Sequence, residues 1–261
     1  MPLAVSAAIG AALMALAVVP LAWMPGVESA PSAVPRTPWR AIARAMVTRP
    51  YRQLVLFSCC FSVVNGLTAA AQGTFPRRVL DVSYPTMQSL LAMMRVGQTA
   101  LAPTMGRWCD RFGCRPVMIV SQLVVATGPL FLFAATPDNW WWIAGTYVAW
   151  MAYAGLNVGI DTLKLKLAPQ DNTAPYLAAY YAMSDLAFGA ATIAGGWLFD
   201  RLVDSGTDLQ SAYAAFFVAA WLGRTLVAAL LVPLAEPRAA HVREMVVALL
   251  THTKHQSAGP R

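Results

Sequence analysis

Long apolar segments separated by short polar ones run through almost the whole chain. They cover about residues 1–24, 53–75, 84–105, 116–136, 140–163, 175–199 and 212–235. An α-helix needs roughly 20 apolar residues to cross the hydrocarbon core of a bilayer, and each segment is close to that length or longer. The pattern therefore predicts an all-α, polytopic membrane helix bundle of about seven transmembrane helices. The segment 84–105 is the weakest of them because it carries Arg95 and Gln98.

Two polar stretches flank the main block of spans. Residues 25–52 begin with a proline-rich linker and continue with a helical stripe that includes Trp39, Ile42 and Met46, beside which Arg40 and Arg44 recur. Such a basic amphipathic helix is typical of a segment lying on an anionic membrane surface. The predicted organisation is a first span (1–24), a linker (25–52), a six-helix bundle (53–235) and a tail (236–261).

The composition restricts the class of protein. With 58% hydrophobic and 12% charged residues, the chain has too little polar material to cover a soluble globule. The net charge of +7 does not indicate nucleic-acid binding, because the basic residues are spread among loops. The four cysteines indicate neither a zinc site nor a disulfide framework. The pair His252 and His255 could bind a metal, but it is interpreted as part of a solvated tail, so neither a metal nor a cofactor is predicted.

The basic residues also predict the orientation in the membrane. If the loop between spans 84–105 and 116–136 faces the cytoplasm, most of the 19 Lys and Arg residues do so too. The outer loops then receive only Arg77, Arg78 and Arg201. Because cytoplasmic loops carry an excess of Lys and Arg, we expect the amino terminus outside and the carboxy terminus in the cytoplasm, in a plasma membrane.

The loop between spans 84–105 and 116–136 carries a dense polar motif. It reads G-x-x-x-D-R-x-G-x-R. The matching positions are Gly106, Asp110, Arg111, Gly113 and Arg115. This pattern resembles the loop signature of major facilitator superfamily (MFS) transporters, although Cys114 stands where that family usually has a basic residue. We call residues 106–115 the signature loop.

The resemblance implies a fold and an activity. Members of that family have two six-helix halves, so this chain corresponds to helices six to twelve of a truncated member, the carboxy-terminal half. We expect a secondary active transporter of a small molecule, proton-coupled, embedded in the lipid bilayer and working with a complementary half or a second copy. By position, the resemblance implies that Asp110 latches the two halves and that Gly106 permits close contact between helices. The alternative is a non-transporting relic or interaction module, and an enzyme is not expected.

Polar side chains at membrane depth are the candidates for binding and coupling, because they are costly there. The substrate-binding or proton-coupling candidates are Asn65, Gln72, Arg95, Gln98, Asn157 and Asp185. Asp185 is the first choice for carrying a proton, and Arg95 is either its ion-pair partner or an anion site. The amides can equally serve as contacts between helices. Arg224 is given no substrate role, but together with Arg95 it outnumbers the central aspartate, which predicts an anionic or amphiphilic substrate.

Two local patterns predict contacts within the bundle. Gly155 and Gly159 form G-x-x-x-G in span 140–163, and small residues fill 189–196 in span 175–199, so these two spans are expected to pack closely. Asp161 lies three residues before Lys164, which favours a salt bridge along one helix.

Overall fold

The structure is a computed structural model and describes residues 46–47, 49–168, 173–236 and 239–248. The predicted span 1–24, nearly all of the linker 25–52 and the end of the tail beyond residue 248 lie outside the described residues.

The described residues are helical along most of their length and include no strand, which confirms the all-α class. The helices are α1 (Arg49–Arg78), α2 (Tyr84–Phe112), α3 (Cys114–Ala126), α4 (Gly128–Ala134), α5 (Trp142–Trp150), α6 (Tyr153–Leu167), α7 (Thr173–Asp204) and α8 (Leu209–Ala228). A short 3-10 turn lies between α4 and α5 at Pro137–Asn139, and another follows α8 at Ala229–Leu231. Residues 242–248 of the tail are helical.

In the described part of the chain, four helical segments are long and apolar enough to cross a membrane. They are Arg49–Arg78, Cys114–Ala134, Thr173–Asp204 and Leu209–Leu231. Helix α2 is long enough at 29 residues, but it is too polar to join that set. The remaining predicted span, 140–163, is divided into α5 and α6. Each of the six predicted spans in this region therefore corresponds to one long helix or to two consecutive ones.

Helix α1 is central to the packing, with α7 and α8 against it, while α6 packs against α2 and α3. Two buried clusters fill the interior. The first lies at the end that carries the signature loop, here called the signature end, and includes Tyr51, Met118 and Leu163. The second lies at the opposite, far end and includes Phe75 and Tyr213. The polar layer described below lies between them.

Glycines allow the closest helix contacts. A Cβ added to Gly195 of α7 would overlap the backbone of Leu67 in α1, and one added to Gly159 of α6 would overlap the side chain of Met118 in α3. Both glycine-containing spans make close contacts, but these contacts are not with each other, which the sequence had predicted. Their partners at these contacts are α1 and α3.

Two predicted spans are interrupted. The helix 114–134 changes at Thr127, two residues before Pro129, whose ring cannot continue the hydrogen-bond ladder. The second break, at Met151 and Ala152, contains no proline. There the Met151 amide donates to the Val148 carbonyl at 3.1 Å, a 3-10 bond that tightens the turn between α5 and α6.

Candidate functional site

Arg224, on α8, is buried inside the bundle although its side chain is permanently charged. It is 2% exposed. Its Nε and Nη2 donate to Oδ1 of Asn65 at 3.1 and 2.8 Å, and Nη2 also donates to Oε1 of Gln72 at 3.1 Å. The guanidinium carbon lies 5.4 Å from the centre of the Trp150 ring, within the range of a cation–π contact. Side chains of two other helices, α1 and α5, thus contact one buried cation on α8.

The two amides that hold Arg224 are positioned by α1. Asn65 and Gln72 lie seven residues apart and share a helical face. Nε2 of Gln72 donates to the Thr68 hydroxyl at 2.8 Å, which leaves Oε1 of Gln72 directed to Arg224. Oδ1 of Asn65 also accepts a hydrogen bond from the Tyr153 hydroxyl at 3.2 Å. The amide oxygens are therefore fixed before any ligand arrives.

A second polar group links α2 to the break between α5 and α6. Nη1 of Arg95 donates to Oε1 of Gln98 at 3.2 Å, and Nε2 of Gln98 donates to the Trp150 carbonyl at 3.0 Å. Gln98 is buried, whereas Arg95 is exposed on the surface of the chain. Gln98 thus connects the exposed Arg95 side chain to the carbonyl oxygen of Trp150.

Three adjoining cavities follow this polar layer. The largest, of about 520 Å³, is lined by Arg224, Asp185 and the amides of α1. A cavity of about 340 Å³ shares Arg224 with it, and a cavity of about 250 Å³ shares Asp185 with it. Aromatic side chains line much of the largest cavity: Phe61, Tyr147, Trp150, Tyr153 and Phe188. The walls combine apolar rings with a few fixed polar groups, which is typical of small-molecule sites.

All six predicted candidates line these cavities. Those on the largest are Asn65, Gln72 and Asp185; those on the second are Arg95, Gln98 and Asn157, and Asn157 also lines the third. Their roles in binding or coupling stay predictions.

The ion pair considered for Arg95 and Asp185 is not present among the described residues. Arg95 bonds one helical turn along its own helix, to Gln98. Asp185 is exposed on α7, and it lines the cavities beside α1 rather than the one that Arg95 lines. Arg95 is carried by α2, which packs on α5 and α6, whereas Asp185 is carried by α7, which packs on α1. The two side chains therefore lie against different helices of the bundle.

The predicted salt bridge between Asp161 and Lys164 is confirmed. Nζ of Lys164 lies 2.7 Å from Oδ1 of Asp161 and donates to the Tyr181 hydroxyl at 2.7 Å. It also lies 4.7 and 4.1 Å from the ring centres of Tyr180 and Tyr181. This buried cation has a carboxylate partner, whereas Arg224 has none among the residues that the structure describes.

The signature loop turns sharply between α2 and α3. Gly113 has a φ of +93°, a backbone conformation that side chains rarely adopt, and an added Cβ would lie 2.9 Å from the Cβ of Ala239. Asp110 and Arg111 are exposed, and Arg111 lies 5.1 Å from the Phe112 ring centre. At Gly106, an added Cβ would meet no described atom within 4 Å. The helix contact that the resemblance implies for Gly106 is therefore not made within the described residues.

Glu236 joins the tail to this loop. Its carboxylate accepts hydrogen bonds from the amides of Cys114 (3.0 Å) and Arg115 (2.8 Å), the first turn of α3, and lies 3.6 Å from Nζ of Lys166. A carboxylate is favourable there because the amino end of a helix presents free N–H groups and a partial positive charge. Nη1 of Arg115 donates to the Leu234 carbonyl at 3.4 Å. The end of the last span is thus fastened to the signature loop.

The sequence analysis gave Arg224 no substrate role and did not predict its contact with α1. Periodicity alone does not show that this side chain reaches α1. A signal was nevertheless present, since an arginine within an apolar span is costly and seldom lacks a purpose. Tyr153 and Trp150 gave no such signal, because aromatic residues are common in any membrane span.

The comparisons with known proteins match most of the chain to one family. The sequence model described as Major Facilitator Superfamily matches residues 54–254. The class D tetracycline resistance protein of Salmonella ordonez is 32% identical over 106 residues, which are 41% of this chain and 25% of that protein. The class E tetracycline resistance protein of Escherichia coli is 32% identical over 113 residues, 43% of this chain and 26% of that protein. The matches thus span about a quarter of the length of these curated relatives. No solved structure gives a significant match.

Proposed function

Because the chain belongs to the major facilitator superfamily, we propose that it takes part in secondary active transport of a small molecule across the membrane. The observation that carries this proposal is the cavity of about 520 Å³, whose wall combines Arg224, Asn65 and Gln72 with Asp185. A bundle held together only by apolar packing needs no such group of costly polar side chains at membrane depth. Their convergence on one cavity supports transport.

The proposed substrate is an amphiphilic solute with an anionic group. Aromatic walls favour a flat apolar body, and the arginines favour negative charge. Two relatives are named for resistance to tetracycline. Tetracycline is therefore the first compound to test with this chain.

Asp185 is the proposed proton carrier. It is the one carboxylate that the described residues place on the wall of the largest cavity, and no described cation forms an ion pair with it. A carboxylate without a fixed counter-charge can gain and lose a proton as the solute enters and leaves. The remaining candidates, Arg95, Gln98 and Asn157, would contact the solute in the neighbouring cavity.

The proposal includes a location and a partner. We place the protein in the plasma membrane with the signature loop in the cytoplasm, as the distribution of basic residues favours. Asp185, Arg95 and Asn157 are exposed on the surface of the described chain. A complementary half or a second copy would enclose these residues and complete the pathway.

The test is solute-driven proton movement in everted membrane vesicles from cells that express the gene with its natural upstream region. Tetracycline and a panel of amphiphilic acids are added after the vesicles have been energised, and the pH gradient is followed with a fluorescent dye. We expect at least one compound to discharge the gradient with the wild type but not with Asp185→Asn. Asp208→Asn, which changes an exposed carboxylate at the far end, is the matched control and should behave as the wild type. If no compound discharges the gradient with the wild type, the proposed transport is wrong. If a compound discharges it equally with the wild type and with Asp185→Asn, the proposed role of Asp185 is wrong.

A further inference from the structure

Arg224 is a buried charge without a described counter-charge. An arginine stays protonated in proteins, so it brings a full positive charge into the bundle. The structure shows no ion pair between its guanidinium and any described carboxylate. Isolated buried charges are strongly unfavourable, and proteins usually pair them. Lys164 is also buried, but its Nζ lies 2.7 Å from Oδ1 of Asp161, so its charge is paired.

The partners of Arg224 orient its charge without neutralising it. Asn65 and Gln72 supply neutral amide oxygens to Nε and Nη2. An aspartate or glutamate at either position would place a carboxylate against the guanidinium, but the chain has amides there. Nη1 is buried and has no hydrogen-bond partner among the residues that the structure describes. The network therefore fixes the guanidinium and leaves one nitrogen without a described partner and the net charge without neutralisation.

The position of the guanidinium also points to a ligand. Arg224 lines both the cavity of about 520 Å³ and the cavity of about 340 Å³, so it stands at their junction. The Trp150 ring covers it, and Tyr153 lines the same two cavities. Low-polarity walls strengthen the attraction between a fixed cation and an anion beside it. Apolar rings on the same walls would hold a flat body attached to that anion.

We infer that Arg224 is the anion-binding residue of the cavity, and that its ligand is a singly charged aromatic carboxylate. Nη1 donates to the carboxylate, Asn65 and Gln72 hold the other nitrogens in place, and the aromatic walls take the ring. This inference deepens the proposed function and rests on it for the statement that a solute enters the cavity. It gives Arg224, rather than Arg95, the main role in charge recognition.

The test is equilibrium binding to the full chain in lipid nanodiscs, with three probes that share one ring system. Naphthoate is the anion, naphthamide the neutral analogue and naphthylmethylammonium the cation. We expect naphthoate to bind at least about tenfold more tightly than naphthamide, which is the scale of one charge-assisted hydrogen bond. The cation should bind most weakly.

Asn65→Asp is the decisive variant because it is nearly isosteric, so we expect it to preserve the fold. It places a carboxylate against Nε and Nη2, so Arg224 stays in place but its charge is cancelled. We expect naphthoate to bind at least about tenfold more weakly while naphthamide binding changes little. Arg224→Lys should keep part of the preference for the anion, and Arg224→Gln should lose it. Arg201→Gln is the matched control, since Arg201 also faces a tryptophan ring, at 5.1 Å, but is exposed at the far end.

The outcomes separate this inference from the proposed function. Equal binding of naphthoate and naphthamide, no binding of naphthoate, or unchanged naphthoate binding in Asn65→Asp overturns the role of Arg224. Thermal unfolding and gel filtration are used to check that Asn65→Asp is folded, so that a loss of binding caused by unfolding can be recognised. Anion-selective binding without solute-driven proton movement would overturn the transport proposal alone. Transport of an anionic aromatic solute that is unaffected by Asn65→Asp would overturn the inference alone.

Discussion

Replacing Gly195 by alanine tests the close contact between α7 and α1. The added Cβ would overlap the carbonyl oxygen of Leu67 and lie 2.7 Å from its carbonyl carbon and Cα. These are backbone atoms, so the overlap cannot be relieved by rotating a side chain, and the two helices must move apart. The adjacent Gly196 is the matched control, because a Cβ there would meet no described atom within 4 Å.

The two substitutions should have opposite effects. In a helix, alanine is favoured over glycine by about 1 kcal/mol, and Gly196→Ala should gain part of that. Gly195→Ala has the same propensity gain, but overpacking that shifts the backbone costs about 1–3 kcal/mol or more. We therefore expect Gly195→Ala to lower the free energy of unfolding by about 1–2 kcal/mol and Gly196→Ala to raise it slightly.

Thermal unfolding of both variants in the same detergent or nanodisc measures the difference. A midpoint for Gly195→Ala that equals or exceeds that of Gly196→Ala would refute the close contact. Gly66→Ala approaches the same interface from α1, since its Cβ would lie 2.5 Å from the carbonyl oxygen of Phe188. Gly66→Ala should therefore also lower the unfolding midpoint. An unchanged midpoint would contradict the close contact between Gly66 and Phe188.

Two further predictions concern the ends of the bundle. Glu236→Ala removes the carboxylate that caps α3 and should cost about 1–2 kcal/mol, so trypsin should cut residues 239–248 faster than in the wild type; unchanged cleavage would contradict the docking of the tail. Hydrogen bonds from the Ser211 side chain and backbone hold the pKa of the Asp208 carboxyl below its ordinary value. Asp208→Ala should therefore lower the unfolding midpoint at neutral pH. That deficit should disappear as the pH falls through the lowered pKa, because the protonated carboxyl no longer stabilises the folded state; a deficit that persists in acid would contradict the cap.

Hydropathy located the spans well because the bilayer requires a minimum apolar length, and that length is read directly from the chain. It could not locate the interruption at Met151 and Ala152, since no proline marks it. The signature loop identified the family from Gly106 to Arg115, because a sharp charged turn between two apolar segments has a distinctive composition.

The sequence predicted candidate residues for a site but not how they are arranged. Every mid-span candidate lines a cavity, yet Arg95 and Asp185 do not pair. Which helices meet is decided by packing over the whole bundle, and a single sequence carries little of that information. For the same reason the contact of Arg224 with Asn65, 159 positions away, could not be predicted.

At the break after α5, the Trp150 backbone accepts a hydrogen bond that does not depend on the identity of its side chain. Gln98 bonds to the carbonyl oxygen of Trp150, an atom that every residue type possesses. Substitution at position 150 would remove the ring that covers Arg224 and keep this acceptor. The hydrogen bond to α2 and the aromatic contact with Arg224 can therefore change independently during evolution. The hydrogen bond would persist through changes of the side chain at position 150, whereas the aromatic contact depends on it.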